Sequence, residues 1–119
     1  MIKLREAGFE GVTAFERWDS AGGTWLVNDY PGCAVDISSY LYLFSFMRWA
    51  RTRTHTTQTE ILAYIRAAIE RFGIEDCIHY GQDVRSIVWS DEARRYTVTV
   101  AGGEHEEFVA VIICVGLLN

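Results

Sequence analysis

The 119 residues are 50% apolar and 23% charged, a composition that excludes a disordered or low-complexity chain and sets an upper bound of one domain. A formal charge of −5 argues against nucleic acid or an anionic membrane as partner, because phosphate binding needs a basic footprint. Cys33, Cys77 and Cys114 are odd in number and form no CxxC pair, so a reduced cytoplasm is expected rather than a disulfide framework.

No basic leader followed by an apolar stretch opens the chain, and a secretory signal is not expected. Met1 to Ala7 reads as the end of a helix, with Gly8 as its stop. Val12 to Glu16 is a short β-rich run and the best early strand. Residues 17–56 show little periodicity and read as one long loop, interrupted by the aromatic run Tyr40, Tyr42, Phe44, Phe46. A loop of that length inside a compact domain is expected to be functional.

Thr57-Gln58-Thr59-Glu60 predicts a capping box, followed by a helix with Ile61, Leu62, Ile65, Ala68, Ile69 and Phe72 on one stripe and a stop at Gly73. A brief strand is expected at Ile78–Tyr80, with His79 packed in it. Runs at Val84–Trp89, Arg95–Val100 and Glu107–Val115 follow, with turns near Ser90-Asp91-Glu92 and Gly102-Gly103. Tyr96, Val98 and Val100 alternate with polar neighbours, as in a half-exposed antiparallel strand. Val109–Val115 is apolar throughout and predicts a strand buried on both faces. The run Phe108–Leu118 is too short to cross a bilayer. The expected fold is α/β, a parallel core joined to an antiparallel three-stranded meander.

Chemistry concentrates early. In dinucleotide-binding β-α-β units an acid at the end of the second strand binds the ribose hydroxyls, about 20 residues after the glycine fingerprint. Glu16 is placed to be that acid, and counting back from it runs past Met1. Helix, Gly8, strand and Glu16 therefore read as the second half of such a unit. Gly22-Gly23-Thr24-Trp25 follows. Paired glycines let backbone lie against a flat ligand, and a tryptophan offers an amphipathic slab. Each feature also has a plain structural reading, as a solvated acid, a flexible turn or a core aromatic.

Their co-occurrence resembles the FAD-contacting loop of flavoprotein monooxygenases, most closely the Baeyer–Villiger type. Glu16, Gly22-Gly23-Thr24-Trp25, Asn28, Tyr30-Pro31-Gly32, Asp36, Ser39, Tyr42 and Ser45-Phe46 follow one another at the spacing of that family. Gln58 falls where the family has its glutamine-bearing helix, and Ile112 to Leu118 resembles its strand ending in Ala-Thr-Gly, here Cys114-Val115-Gly116. The resemblance implies a Rossmann-like FAD-binding domain. Glu16 would hold the FAD ribose, and Gly22, Gly23, Thr24 and Trp25 would line the dinucleotide. Tyr42 would complete the pocket and the Val84 backbone would meet the adenine. Asp36 would be the catalytic acid near the flavin and the nicotinamide. Ala34 stands where the family usually has arginine.

The implied activity is FAD-dependent and NADPH-using, inserting one oxygen atom from O₂ into a small-molecule ketone. An amine- or sulfide-oxidising flavin monooxygenase and a non-enzymatic remnant remain alternatives. The family's first strand and GxGxxG turn, its NADP domain and its Phe-x-Gly-x-x-x-His signature are not among these residues. Residues 1–119 are accordingly expected to be an incomplete FAD/NAD(P)-binding domain, inactive alone. His55, His79 and His105 lack ligand-like spacing, and no metal site is expected. Arg48, Arg51 and Arg53 around Trp49 read as a solvated loop.

Overall fold

The computed structural model describes residues 1–50 and 53–116. Arg51 of the basic patch and the closing Leu117-Leu118 lie outside the described residues.

Helix α1 (Ile2–Glu6) is followed by Gly8 at φ +85°, the left-handed conformation a glycine stop supplies. Arg5 donates to the Gly73 carbonyl at 3.1 Å and so ties α1 to a segment far along the chain. Strand β1 is only Ala14–Phe15, shorter than the β-rich run around it, because a strand extends only as far as its partner. That partner is β2 (Ile78–His79), parallel to β1 in the register Ala14 to Ile78 and Phe15 to His79. Backbone bonds prolong the contact: the Glu16 N–H donates to His79 O and the Gln82 N–H to Glu16 O, both at 2.9 Å. His79 itself is exposed, not packed, and its ring meets Phe15 at 5.8 Å.

The loop from residue 17 to residue 56 contains one element that periodicity does not reveal, the four-residue helix α2 (Thr24–Val27). Helix α3 (Gln58–Arg71) starts at the expected capping box: the Glu60 carboxylate accepts from the Thr57 N–H at 3.0 Å and from the Thr57 hydroxyl at 2.7 Å. Gly73, at φ +56°, follows its end. Ile61, Ala68 and Ile69 are buried as the stripe requires, while Leu62, Ile65 and Phe72 are half-buried.

Tyr64, off that stripe in the sequence reading, is only 2% exposed. Its burial is possible because the hydroxyl is satisfied twice, accepting from the Phe44 N–H and donating to the Met47 carbonyl, both at 2.8 Å. Around it Met47 and Ala68 are buried, and Leu43, Phe46, Trp49 and Phe72 pack on the outside. The aromatic run divides accordingly. Phe44 and Phe46 stack at 5.1 Å over this cluster, whereas Tyr40 is largely exposed.

A 3₁₀ turn (Glu75–Cys77) leads into β2, and β3 (Val84–Ser90), β4 (Arg95–Val100) and β5 (His105–Phe108) form the antiparallel meander in that order. The β3–β4 register shifts between Val84 and Ser86. Arg94 takes φ +51° in the intervening turn, and Val98 and Val100 are buried as their alternation implies. Phe108 packs edge-on against Phe15 at 6.0 Å, joining the meander to β1.

The expected central strand at Val109–Val115 is not formed. Pairing ends at Phe108, and Val109, Ile112, Ile113 and Val115 stand in solvent. Apolarity favours burial, but a strand needs a hydrogen-bonded neighbour, and among the described residues no segment supplies one. The parallel pair is β1–β2 instead. The radius of gyration, 16.4 Å, exceeds the roughly 13–14 Å of a compact domain of this length.

Candidate functional site

The glycine pair sits where the loop turns into α2. Gly22 has φ +147°, and a Cβ there would lie 2.5 Å from Leu62 Cδ1 and 3.0 Å from Leu26 Cβ. This glycine is required by the chain's own packing against α3. Gly23, the residue before Thr24, has φ +50°, and a Cβ on it would meet nothing within 4 Å. The adjoining backbone is therefore open to approach from outside. The first turn closes through Trp25 N–H to Gly22 O and Leu26 N–H to Gly23 O, both 3.0 Å.

Trp25 is half-buried. Its indole N–H donates to the Tyr42 hydroxyl at 2.9 Å, with the rings edge-to-face at 5.6 Å. The Trp25 carbonyl accepts from the Gln58 side-chain amide. Gln58 also donates its backbone N–H to Cys33 O at 2.9 Å. From Cys33 the chain runs antiparallel to the approach to α3, with an Ala34–Thr57 bridge and Val35 N–H to Thr56 O at 3.0 Å. Asp36 follows the buried Val35 and is exposed. Ser39 is fully buried, its hydroxyl donating to Thr54 O at 2.9 Å and accepting from the Thr56 hydroxyl. Its role in holding the loop explains that serine.

Glu16, half-buried at the end of β1, accepts the Trp18 N–H on Oε1 at 3.0 Å. Trp18 in turn accepts the Gly81 N–H at 2.9 Å. Between these bonds lies Tyr80, which no sequence pattern singled out. Its phenol is pushed above its ordinary value, first by burial and then by Glu75, to which it is hydrogen-bonded, with the Glu16 charge adding to both. A hydrogen bond from the Ala21 backbone works the other way. Tyr80 thus stands between Glu16 and the residue before the glycine pair.

The structure gathers Gly22, Gly23, Thr24, Trp25 and Tyr42 into one patch, and Gln58, named in the sequence for its helix, joins it through Trp25 O. Asp36 lies three residues beyond Cys33, whose carbonyl Gln58 holds, and Glu16 lies at the end of β1, its charge felt at Tyr80. Val84 opens β3 two residues beyond Gln82 and stands apart from the patch. A cleft of about 360 Å³ lies between the Asp29–Cys33 turn and Thr57–Thr59, on the Gln58 side. A shallower hollow of about 530 Å³ beside Arg5, Phe9 and Asp76 contains none of the expected residues. Among the described residues no group of three His, Cys, Asp or Glu side chains could hold a metal ion, and no helix is long and apolar enough to cross a membrane.

Comparison with known proteins gives a consistent result. No family model matches the chain. A Baeyer–Villiger monooxygenase of Streptomyces coelicolor is 35% identical over 105 residues, 86% of this chain and 20% of the relative. A phenazine N-monooxygenase of Lysobacter antibioticus is 32% identical over 123 residues, 98% of this chain and 23% of that protein. In an open crystal structure of cyclohexanone monooxygenase the fold recurs with a TM-score of 0.90 and 35% identity, over 98% of this chain and 24% of that one. An oxidised steroid monooxygenase bound to NADP matches with a TM-score of 0.84 and 33% identity, over 89% of this chain and 21% of that one. The chain thus spans about a fifth of the length of the relatives it matches. In sequence and in fold, it is the counterpart of one segment of the flavin monooxygenases of the Baeyer–Villiger type.

Proposed function

We propose that this chain is the flavin-holding segment of a monooxygenase that uses FAD and NADPH to insert one oxygen atom from O₂ into a ketone. The observation that carries the reading is the turn at Gly23, where backbone at φ +50° faces open space one residue before Thr24-Trp25. A flat dinucleotide needs such approachable backbone together with an acid for its ribose, and Glu16 stands at the end of β1, shortly before the glycine turn in the chain.

In this reading the Glu16 carboxylate accepts from the ribose hydroxyls. Gly22, Gly23, Thr24 and Trp25 form the wall along the dinucleotide, and Tyr42 holds the Trp25 indole. The Val84 main chain meets the adenine. Asp36, an exposed acid in the extended loop segment beside the start of α3, places a negative charge near the reacting ring. FAD, when bound, supplies the electron transfer and oxygen activation, while the protein groups orient it and keep water out. A cytoplasmic setting goes with the three free cysteines. Oxidation of a ring nitrogen rather than a ketone is the second reading, favoured by the similarity to the phenazine N-monooxygenase.

Titrating FAD into a protein that carries this segment at the full length of its relatives, and following flavin fluorescence, tests the cofactor assignment. Quenching that saturates is expected, and Glu16→Ala should weaken it about tenfold to a hundredfold through loss of hydrogen bonds to a charged group. Asp36→Ala should leave that affinity unchanged. In that protein Asp36→Ala should instead slow NADPH oxidation in the presence of a ketone. Glu16→Ala binding FAD as tightly as the parent would refute the ribose assignment, and no quenching at all would favour the remnant.

A further inference from the structure

Gln58 does more than begin a helix. Helix α2 has four residues, too few to be stable alone. Asn28 covers Thr24 O, donating to it from its backbone N–H at 3.2 Å and from its side chain at 2.9 Å. The next, Trp25 O, is covered by the amide of Gln58, 33 residues away. A carbonyl only accepts, so it is the nitrogen of that amide that faces it, and the oxygen is left to accept from the Thr59 hydroxyl at 3.1 Å. The Gln58 backbone N–H meanwhile holds Cys33 O. A single residue therefore clasps α2, the loop segment that leads to Asp36, and the first turn of α3.

We propose that Gln58 is a positioning residue: it fixes the Trp25 backbone so that the indole points to Tyr42 and the wall of the flavin site is set before ligand arrives. The part concerning flavin rests on the function proposed above; the brace between Gln58 and Trp25 does not. Glutamine is needed rather than a residue that merely favours a helix start. An acid at this position would suit the N-terminal end of α3 at least as well, yet it would turn an acceptor toward the Trp25 carbonyl.

That opposition gives the test. Hydrogen–deuterium exchange by NMR is followed at the Trp25 indole N–H and at the amides of 24–28 and 61–69, in the parent chain, in Gln58→Glu and in Gln58→Met. Met keeps the length of the side chain without its polar end and without added charge. Exchange at Trp25 and in 24–28 should rise about tenfold or more in both variants, while 61–69 stays as slow as in the parent or slower in Gln58→Glu. FAD affinity of both variants, measured at the full length of the relatives, should fall by a similar factor. Unchanged exchange at Trp25, or equal acceleration throughout α3, overturns the proposal and leaves Gln58 a helix-starting residue. Collapse of the fold in both variants does the same. Loosened Trp25 with unaltered FAD affinity also overturns it, since the brace would then serve no ligand. A parent protein at the full length of its relatives that binds no FAD condemns the flavin reading, while the exchange data still decide the brace.

Discussion

Residues 28–50 and the run Val109–Val115 both lack regular helix or strand, but they differ in composition and in outcome. The first mixes Asn, Asp, Gly and Ser with many apolar and aromatic residues, and it buries Cys33, Val35, Ser39 and Met47. The second is apolar at every position, yet leaves Val109 73% and Ile113 67% exposed. What separates them is the supply of partners. Tyr64, Gln58 and Thr54 each reach into the loop with a donor or acceptor that its backbone requires. Among the described residues the apolar run is paired with no strand. Order in an irregular segment here follows from satisfied polar groups, with apolar burial as the accompaniment.

Removing the loop's main support should give the largest effect. Tyr64→Ala deletes a buried ring and leaves the Phe44 N–H and Met47 carbonyl without this partner, so about 3–5 kcal/mol should be lost in urea unfolding. Tyr64→Phe should retain part of that, because the ring remains. If Tyr64→Ala costs no more than an exposed substitution, the loop is held by something other than this tyrosine. Gly22→Ala comes next, at about 1–3 kcal/mol, since it combines a left-handed φ with overpacking against Leu26 and Leu62. Gly23→Ala, with the same backbone demand but open space, should cost less, and the order of the two checks that packing is the difference.

The smallest effect belongs to the other stretch. Ile113→Lys should change stability by less than about 0.5 kcal/mol, as exposed substitutions usually do. A loss of several times that would show the run to be covered in solution, and the contrast drawn above would fail.

The two regions were also unequally legible. Helix α3 could be read because its signals are local: Thr57 and Glu60 are three residues apart, and the stripe repeats within one helix. The meander could be read from strict alternation at Tyr96, Val98 and Val100. Helix α2 could not, because four residues carry no period. Tyr64 and Tyr80 were missed, and the Gln58 bond to Trp25 was not foreseen, for one shared reason. Each matters through a partner many residues away, Gln58 through Trp25 and Tyr64 through Phe44 and Met47, and no window of sequence contains both ends. The glycine pair, Trp25 and Tyr42 were found by their order along the chain, and the structure does bring them together. Val109–Val115 misled because its composition states a preference for burial without saying what would cover it.

The parallel pairing of β1 with β2 has a consequence for the order of assembly. The meander closes through short turns, and α3 through contacts within itself. The β1–β2 contact joins segments about sixty residues apart, and Arg5 reaches Gly73 across 68 residues, so both must close a long loop before any bond repays the lost chain entropy. Truncations at Ile78 should then accelerate unfolding and leave the refolding rate nearly untouched, whereas truncations at Ile61 or Val98 should slow refolding, a split that stopped-flow fluorescence resolves. The glycine turn, strung between β1 and α3, would be the last piece to find its place, so a chain caught partway carries its scaffold finished and its binding wall still unset.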